Sequence, residues 1–184
     1  MFDQNTYIVL ELPEPIASMI HKIRLEQGDE FQASMPEEIT IVGSSGVGPI
    51  AKDQDPDELF KAIDEIAAST SPITVSFDKA HRFPGTDIVV MKLKDDTLVR
   101  SLHQRFIDSG VKFQNSDFPY QPHCTIRSKS PLTDQEMEEL SKLKIEGNFT
   151  LQTLSVYRMP PPGTLIHTAE LSSSKRYDGS VIDA

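Results

Sequence analysis

The segment Pro122-His123-Cys124-Thr125-Ile126-Arg127 is the most informative part of this chain, and it is best read beside Glu38-Ile39-Thr40 in the first half. Side chains on a β-strand alternate between its two faces, so His123, Thr125 and Arg127 should share one face. An imidazole, a hydroxyl and a guanidinium on one face can donate hydrogen bonds to an anion such as a phosphate. The segment therefore predicts an anion site on a strand.

The first-half segment repeats this pattern with one change. Thr40 corresponds to Thr125, whereas Glu38 stands where a second histidine would complete the repeat. Two equivalent strands that carry such residues would form a two-part site if the halves of the chain pack around a shared cleft.

Hydrophobic periodicity predicts the same order of elements in both halves, namely strand, helix, strand, helix, strand, with one further strand at the end. Asp55-Pro56 predicts the start of one helix, and Thr133 with Glu136 predicts a capping box at another. The predicted strands cover residues 7–12, 39–42, 73–77, 87–93, 123–127, 149–158 and 165–172.

This order indicates an α+β fold with a bilobal, duplicated βαβαβ arrangement whose central sheets form a groove. We expect a single domain over residues 1–172, with lobe one at about 1–80 and lobe two at about 81–172. Residues 173–184 are polar and are expected to form a mobile tail.

Composition excludes several classes of protein. The 184 residues carry a formal net charge of −10 and the sequence pI is about 4.9, so general nucleic-acid binding is not expected. Cys124 is the single cysteine, which excludes an intrachain disulfide. No apolar run approaches the roughly 20 residues that span a membrane, and the first residues lack a signal-like pattern. The expected location is the cytoplasm, with no membrane contact.

The two short motifs and the duplicated order resemble the two-histidine phosphoesterase superfamily, which includes 2′-5′ RNA ligase-like proteins and cyclic phosphodiesterases. In that superfamily one H-x-T motif from each lobe lines a groove, the histidines serve as acid and base, and the hydroxyls hold the phosphate. The resemblance implies catalytic roles for His123 and Glu38 and phosphate binding by Thr40 and Thr125. Glu38 is the departure from the family pattern.

The chemistry of the pair follows from ordinary pKa values, near 6.5 for histidine and 4.3 for glutamate. Glu38 would then act as a weak base and His123 as the acid, and the carboxylate would raise the pKa of His123. Arg127 would offset the negative charge as a phosphate ligand. Tyr120 and Tyr157 are candidates for stacking on a nucleobase.

Two functions from different classes remain open on the sequence alone. One is an enzyme, a phosphodiesterase or 2′-5′ RNA ligase-like protein acting on a small phosphoester or nucleotide, with an RNA end as a further candidate substrate. The other is a binding module of the same fold that holds a nucleotide or anion without turnover. Neither requires a cofactor or a metal ion. A lone His-x-Thr is usually an ordinary polar pair, so the site hypothesis depends on the repeat.

Overall fold

The α+β class expected from the sequence is confirmed by a computed structural model, which describes residues 2–159 and 163–172. The elements in chain order are β1 (Thr6–Glu11), α1 (Ile16–Glu26), α2 (Glu30–Ala33), β2 (Glu38–Val42), α3 (Pro56–Ala68), β3 (Ile73–Val75), β4 (Phe77–Arg82), β5 (Val89–Leu93), α4 (Thr97–Ile107), β6 (His123–Arg127), α5 (Asp134–Ser141), β7 (Phe149–Leu151), β8 (Thr153–Arg158) and β9 (Thr164–Glu170). The expected tail at 173–184 lies outside the described residues.

The strands form antiparallel sheets that place β2 and β6 next to each other. A four-stranded sheet has the order β2-β1-β8-β9, and a three-stranded sheet has the order β4-β5-β6. Strands β3 and β7 form a separate pair. Strand β2 of the first sheet contacts β6 of the second. Because β8 and β9 join β1 in one sheet, the four-stranded sheet is built from both ends of the described chain.

The register shows that the two motif-bearing strand pairs are equivalent. Thr40 on β2 lies opposite Val9 on β1, and Thr125 on β6 lies opposite Val90 on β5. Both valines are fully buried. In the same way Glu38 lies opposite Glu11, and His123 lies opposite Lys92. The two motifs therefore occupy matching positions in their sheets, as the sequence repeat predicts.

Helix capping follows the expected signals. The Asp55 side chain accepts hydrogen bonds from the backbone N–H groups of Asp57 and Glu58 at the start of α3. Thr133 and Glu136 form the predicted capping box at α5. Such caps satisfy backbone donors that have no partner inside the helix.

The helices and sheets enclose one contiguous apolar core that includes Cys124, which is fully buried as expected from strand alternation. Within the described residues, no helix is long and apolar enough to cross a membrane.

Candidate active site

A cavity of about 590 Å³ opens where β2 and β6 meet, and it brings the two sequence motifs together. The predicted residues Glu38, Thr40, His123 and Thr125 all line it. The other lining residues are Gln4, Asn5, Tyr7, Phe31, Gln32, Met35, Ser44 and Met159. The duplication in the sequence thus produces a shared cleft with one motif on each side.

Glu38 occupies an unusual environment for a carboxyl group. Its Oε1 accepts a hydrogen bond from the Thr40 hydroxyl at 3.1 Å, while Oε2 is buried and has no hydrogen-bond partner among the described residues. Burial raises the pKa of Glu38 to about 7, although the Thr40 hydrogen bond and the positive charge of Arg24 act in the opposite direction. Near neutral pH this carboxyl group is therefore present in both protonated and ionised forms.

His123 is held in one tautomer by its backbone contact. Its Nδ1 lies 2.6 Å from the carbonyl oxygen of Gln121, and because a carbonyl accepts but cannot donate, Nδ1 carries the proton. In the neutral ring Nε2 is then an acceptor. The ring of Phe83 packs against the imidazole in an edge-on arrangement, with centroids 5.0 Å apart.

The pKa of His123 moves in the direction opposite to the sequence-based prediction. Burial lowers it below 6.5, the Lys92 charge lowers it further, and the hydrogen bond to Gln121 opposes both. The expectation that Glu38 would raise this pKa is therefore wrong, because the cost of burying an imidazolium decides the direction. With the pKa of Glu38 near 7 and that of His123 below 6.5, a proton shared by the pair resides on Glu38 near neutral pH, and not on His123 as the sequence-based prediction has it.

Arg24 positions both sides of the site, and sequence analysis missed it. Its side chain is 1% exposed in α1, and its Nε and Nη2 both donate to the carbonyl oxygen of Thr125. Its Nη1 donates to the carbonyl oxygens of Gln32, Met35 and Pro36, just before β2. The sequence did contain a signal for this role, because Arg24 falls at the helical spacing of the buried residues Ile16 and Ile20 in α1.

Arg127 does not line the cavity, and its predicted role as a phosphate ligand is wrong. The pairing of β5 with β6 shifts between Thr125 and Arg127, so the strict alternation ends there. The guanidinium is 1% exposed and donates to the carbonyl oxygens of Lys129 and Pro131 and to the Glu136 carboxylate. Arg127 anchors the loop that leads into α5 instead.

Tyr120 is not placed for base stacking. Its ring stacks on His103 with centroids 3.7 Å apart, and its hydroxyl donates to the Thr40 carbonyl oxygen at 2.9 Å. Tyr157 donates its hydroxyl proton to Glu11 and lines neither this cavity nor the adjoining one described below. Tyr120 thus supports β2, whereas Tyr157 joins β8 to β1, so these two sequence-based predictions are corrected.

Tyr7 is the aromatic residue from β1 that does line the cavity, and sequence analysis missed it. Its ring lies so close to the backbone of Gly43 that an added Cβ there would overlap the ring carbons. Gly43 also has a φ of +140°, which disfavours other residues. Burial raises the Tyr7 pKa, and the nearby Glu38 charge adds to this effect.

A second cavity of about 430 Å³ adjoins the first and shares Ser44, His123 and Thr125 with it. Most of its other lining is apolar, formed by Phe83, Pro84, Ile88, Phe118 and Pro119, together with Ser45, Thr86 and Gln121. Phe118 is 70% exposed at its rim. The imidazole and the Thr125 hydroxyl therefore lie between a cavity of mixed lining and a second one with mostly apolar walls.

The described residues contain no group of three or more His, Cys, Asp or Glu side chains arranged to hold a metal ion.

Comparison with known proteins identifies the family. The family model described as the 2′-5′ RNA ligase superfamily matches residues 13–160. The chain belongs to this superfamily. No protein with a curated function matches the chain in sequence.

Solved structures with a similar fold are also found. The crystal structure of TT0787 from Thermus thermophilus is 16% identical and has a TM-score of 0.67, over 91% of this chain and 97% of that one. Escherichia coli LigT complexed with 3′-AMP is 14% identical with a TM-score of 0.53, over 92% and 99% of the two chains. At these identities the likeness to the two structures shows a shared fold alone.

Proposed function

We propose that this chain hydrolyses a small cyclic phosphodiester of the kind found at nucleotide or RNA ends. One observation carries the proposal: Glu38 with Thr40 and His123 with Thr125 line one cavity from equivalent strand positions. The side chains supply one acid, one base and two hydroxyls around a space of suitable size.

The proposed reaction uses neutral His123 and protonated Glu38. Nε2 of His123 accepts a proton from a water molecule as the water oxygen bonds to phosphorus. The bond from phosphorus to one ribose oxygen breaks, and the Glu38 carboxyl group donates its proton to that oxygen. The product is a phosphomonoester, and the proton on His123 returns to Glu38 through solvent. The Thr40 and Thr125 hydroxyls donate hydrogen bonds to the phosphate oxygens.

A nucleotide is the substrate class that fits both cavities. The apolar second cavity suits a nucleobase, because moving the flat faces of its aromatic rings from water to an apolar wall costs little free energy. The related LigT structures complexed with 3′-AMP, ATP and NADP+ support a nucleotide ligand for this fold. With its base beside Phe83 and Phe118, a nucleotide would place its phosphate near His123.

The test is an assay of hydrolysis of adenosine 2′,3′-cyclic phosphate, with products separated by chromatography. We expect turnover by the unaltered protein and its loss in His123→Ala and Glu38→Gln. His21→Ala and Glu30→Gln are matched controls, because both side chains are exposed and lie outside the cavity. Turnover that is unchanged in His123→Ala would overturn the proposal.

The alternative is a module that binds a nucleotide without turnover. It is favoured by the hydrogen bond from Thr40 to Glu38, which engages a hydroxyl that the reaction needs. Binding of 3′-AMP by the unaltered protein, together with no hydrolysis of the cyclic substrate at any pH between 5 and 8, would establish this alternative.

A further inference from the structure

The hydroxyl of Thr40 has a single proton, and in this structure it is directed to Glu38. A threonine hydroxyl donates one hydrogen bond, and here the acceptor is Oε1 of Glu38 at 3.1 Å. A phosphate in the cavity would need the same proton, since both Thr40 and Glu38 line the cavity. The ionised carboxylate and a bound phosphate are therefore rival acceptors for one donor.

The negative charges of an ionised Glu38 and of a phosphate also oppose binding of the phosphate. Among the described residues that line the cavity, Glu38 is the one carboxyl group and no lysine or arginine is present. The nearby Arg24 directs its guanidinium to backbone carbonyl oxygens, to Glu37 and to the Cys124 sulfur. A phosphate would thus meet an ionised Glu38 with little positive charge between them, and two like charges in such surroundings repel.

We propose that phosphate binding at this site is coupled to uptake of a proton by Glu38, and that the coupling selects a singly charged phosphodiester over a doubly charged phosphomonoester. A proton on Glu38 removes its charge and converts the carboxyl group from an acceptor into a donor. The Thr40 hydroxyl is then free to turn to the phosphate. This inference rests on the proposed function and assigns the specificity to Glu38.

Among the other ionisable groups near Glu38, His123 is the one that could also take up a proton, and the Glu38→Gln variant below separates the two. Burial raises the pKa values of the Tyr7 and Tyr157 phenols and of the Cys124 thiol, so all three stay protonated near neutral pH. The remaining ionisable neighbours are Arg24 on α1, Glu11 on β1, Glu37 beside β2, Tyr120 before β6 and His123 on β6. The pKa of Tyr120 is raised, chiefly by burial, and the Glu11 carboxylate is engaged by Ser155 and Tyr157.

The coupling has a direct consequence for the reaction. When substrate binds, Glu38 takes up a proton, and in the proposed reaction Glu38 donates this proton to the leaving ribose oxygen. Hydrolysis leaves a monoester beside an ionised Glu38 and a protonated His123, and the monoester becomes doubly charged when it and the imidazolium release their protons to solvent. The product is consequently repelled, which favours its release.

The test compares two ligands that differ in charge but cannot cyclise, 2′-deoxyadenosine 3′-phosphate and its methyl ester. Isothermal titration calorimetry at pH 8, in two buffers with different ionisation enthalpies, gives the affinity and the number of protons taken up. With a pKa near 7, Glu38 is about nine-tenths ionised at pH 8. We expect the diester to bind at least about tenfold more tightly than the monoester and to take up between about half a proton and one proton.

Two variants make the result specific. Glu38→Gln keeps the shape of the side chain but cannot titrate, so diester binding should take up no proton and the preference over the monoester should shrink. Glu30→Gln removes an exposed carboxylate outside the cavity and should behave like the unaltered protein. Circular dichroism confirms folding of both.

Each outcome has a defined meaning. Diester binding by the unaltered protein without proton uptake, or with uptake that persists in Glu38→Gln, would overturn the inference and leave the proposed hydrolysis standing. Absence of binding of either ligand to the unaltered protein at millimolar concentration would overturn the inference, and a lack of hydrolysis of adenosine 2′,3′-cyclic phosphate as well would overturn both.

Discussion

The guanidinium of Arg24 holds the carbonyl oxygen of Thr125 through two donors, with Nε at 3.0 Å and Nη2 at 2.9 Å. This contact joins the first helix to the strand that carries the second motif. Because Nη1 of the same side chain also binds carbonyl oxygens just before β2, one buried arginine fixes the separation of the two motifs. The site therefore depends on a residue that lies outside the cavity lining.

Replacing Arg24 should destabilise the protein strongly. In Arg24→Met several buried carbonyl oxygens lose their donors, and each unsatisfied group costs about 1–3 kcal/mol. We expect the free energy of unfolding, measured by urea denaturation, to fall by about 3–5 kcal/mol. Lys22→Met on the exposed side of α1 is the control and should change it by less than about 0.5 kcal/mol. A small effect in Arg24→Met would show that water replaces the guanidinium.

The pH dependence of turnover should be bell-shaped with a narrow maximum. The proposed reaction needs neutral His123, so kcat/KM falls below the lowered pKa of the imidazole, which lies under 6.5. It also needs protonated Glu38, so kcat/KM falls as pH rises past about 7. Initial rates between pH 5 and 9 measure both limbs. An activity that keeps rising above pH 8 would contradict Glu38 as the acid.

Loss of the imidazole should affect the chemical step more than binding. We expect His123→Ala to lower kcat by about 10²–10⁴-fold, the usual contribution of a general base, with a much smaller change in KM. Steady-state kinetics on the cyclic substrate separates the two parameters. A large rise in KM with kcat unchanged would instead assign His123 to substrate binding.

Glu38 should also reduce stability at high pH. Its raised pKa means that the folded state holds a proton that the unfolded chain releases, so the contribution of Glu38 to stability is highest below about pH 4.5 and declines as pH rises through about 7. Glu38→Gln should therefore stabilise the protein by about 2–3 kcal/mol at pH 8 and by little at pH 4.5. Urea denaturation at the two pH values measures this, and an equal effect at both would contradict the raised pKa.

Gly43 should be intolerant of a side chain. In Gly43→Ala the new methyl group would overlap the Tyr7 ring and the backbone would be strained at its positive φ. We expect a loss of about 1–3 kcal/mol in unfolding free energy and a displaced Tyr7 at the cavity wall. Gly85→Ala is a useful comparison, because it shares a positive φ but has no neighbouring atom within 4 Å. Equal losses in the two variants would mean that the Tyr7 contact is unimportant.

Local rules were sufficient to predict much of this fold from sequence. Alternation placed Thr125 in the cavity and Cys124 in the core, and the Thr133–Glu136 spacing gave a capping box that the structure contains. Alternation failed at Arg127, because the irregularity in the β5–β6 register depends on pairing with a partner strand. Such pairing is a tertiary property that a single strand sequence does not reveal.

The chemistry of the site was harder to predict than its location. Ordinary pKa values made Glu38 the base and His123 the acid. Burial raises the pKa of Glu38 and lowers that of His123, so that their order is reversed. Burial of these groups depends on how β2 meets β6 and on which groups Arg24 binds. Neither can be read from the residues of the motifs alone.

The position of β1 between β2 and β8 has a consequence for synthesis of the chain. A ribosome releases β1 and β2 long before β8, so the edge of β1 that will pair with β8 stays open until the last strands emerge. An open strand edge can pair with another chain. Chains from which β8 has not yet emerged are therefore prone to aggregate or to recruit chaperones.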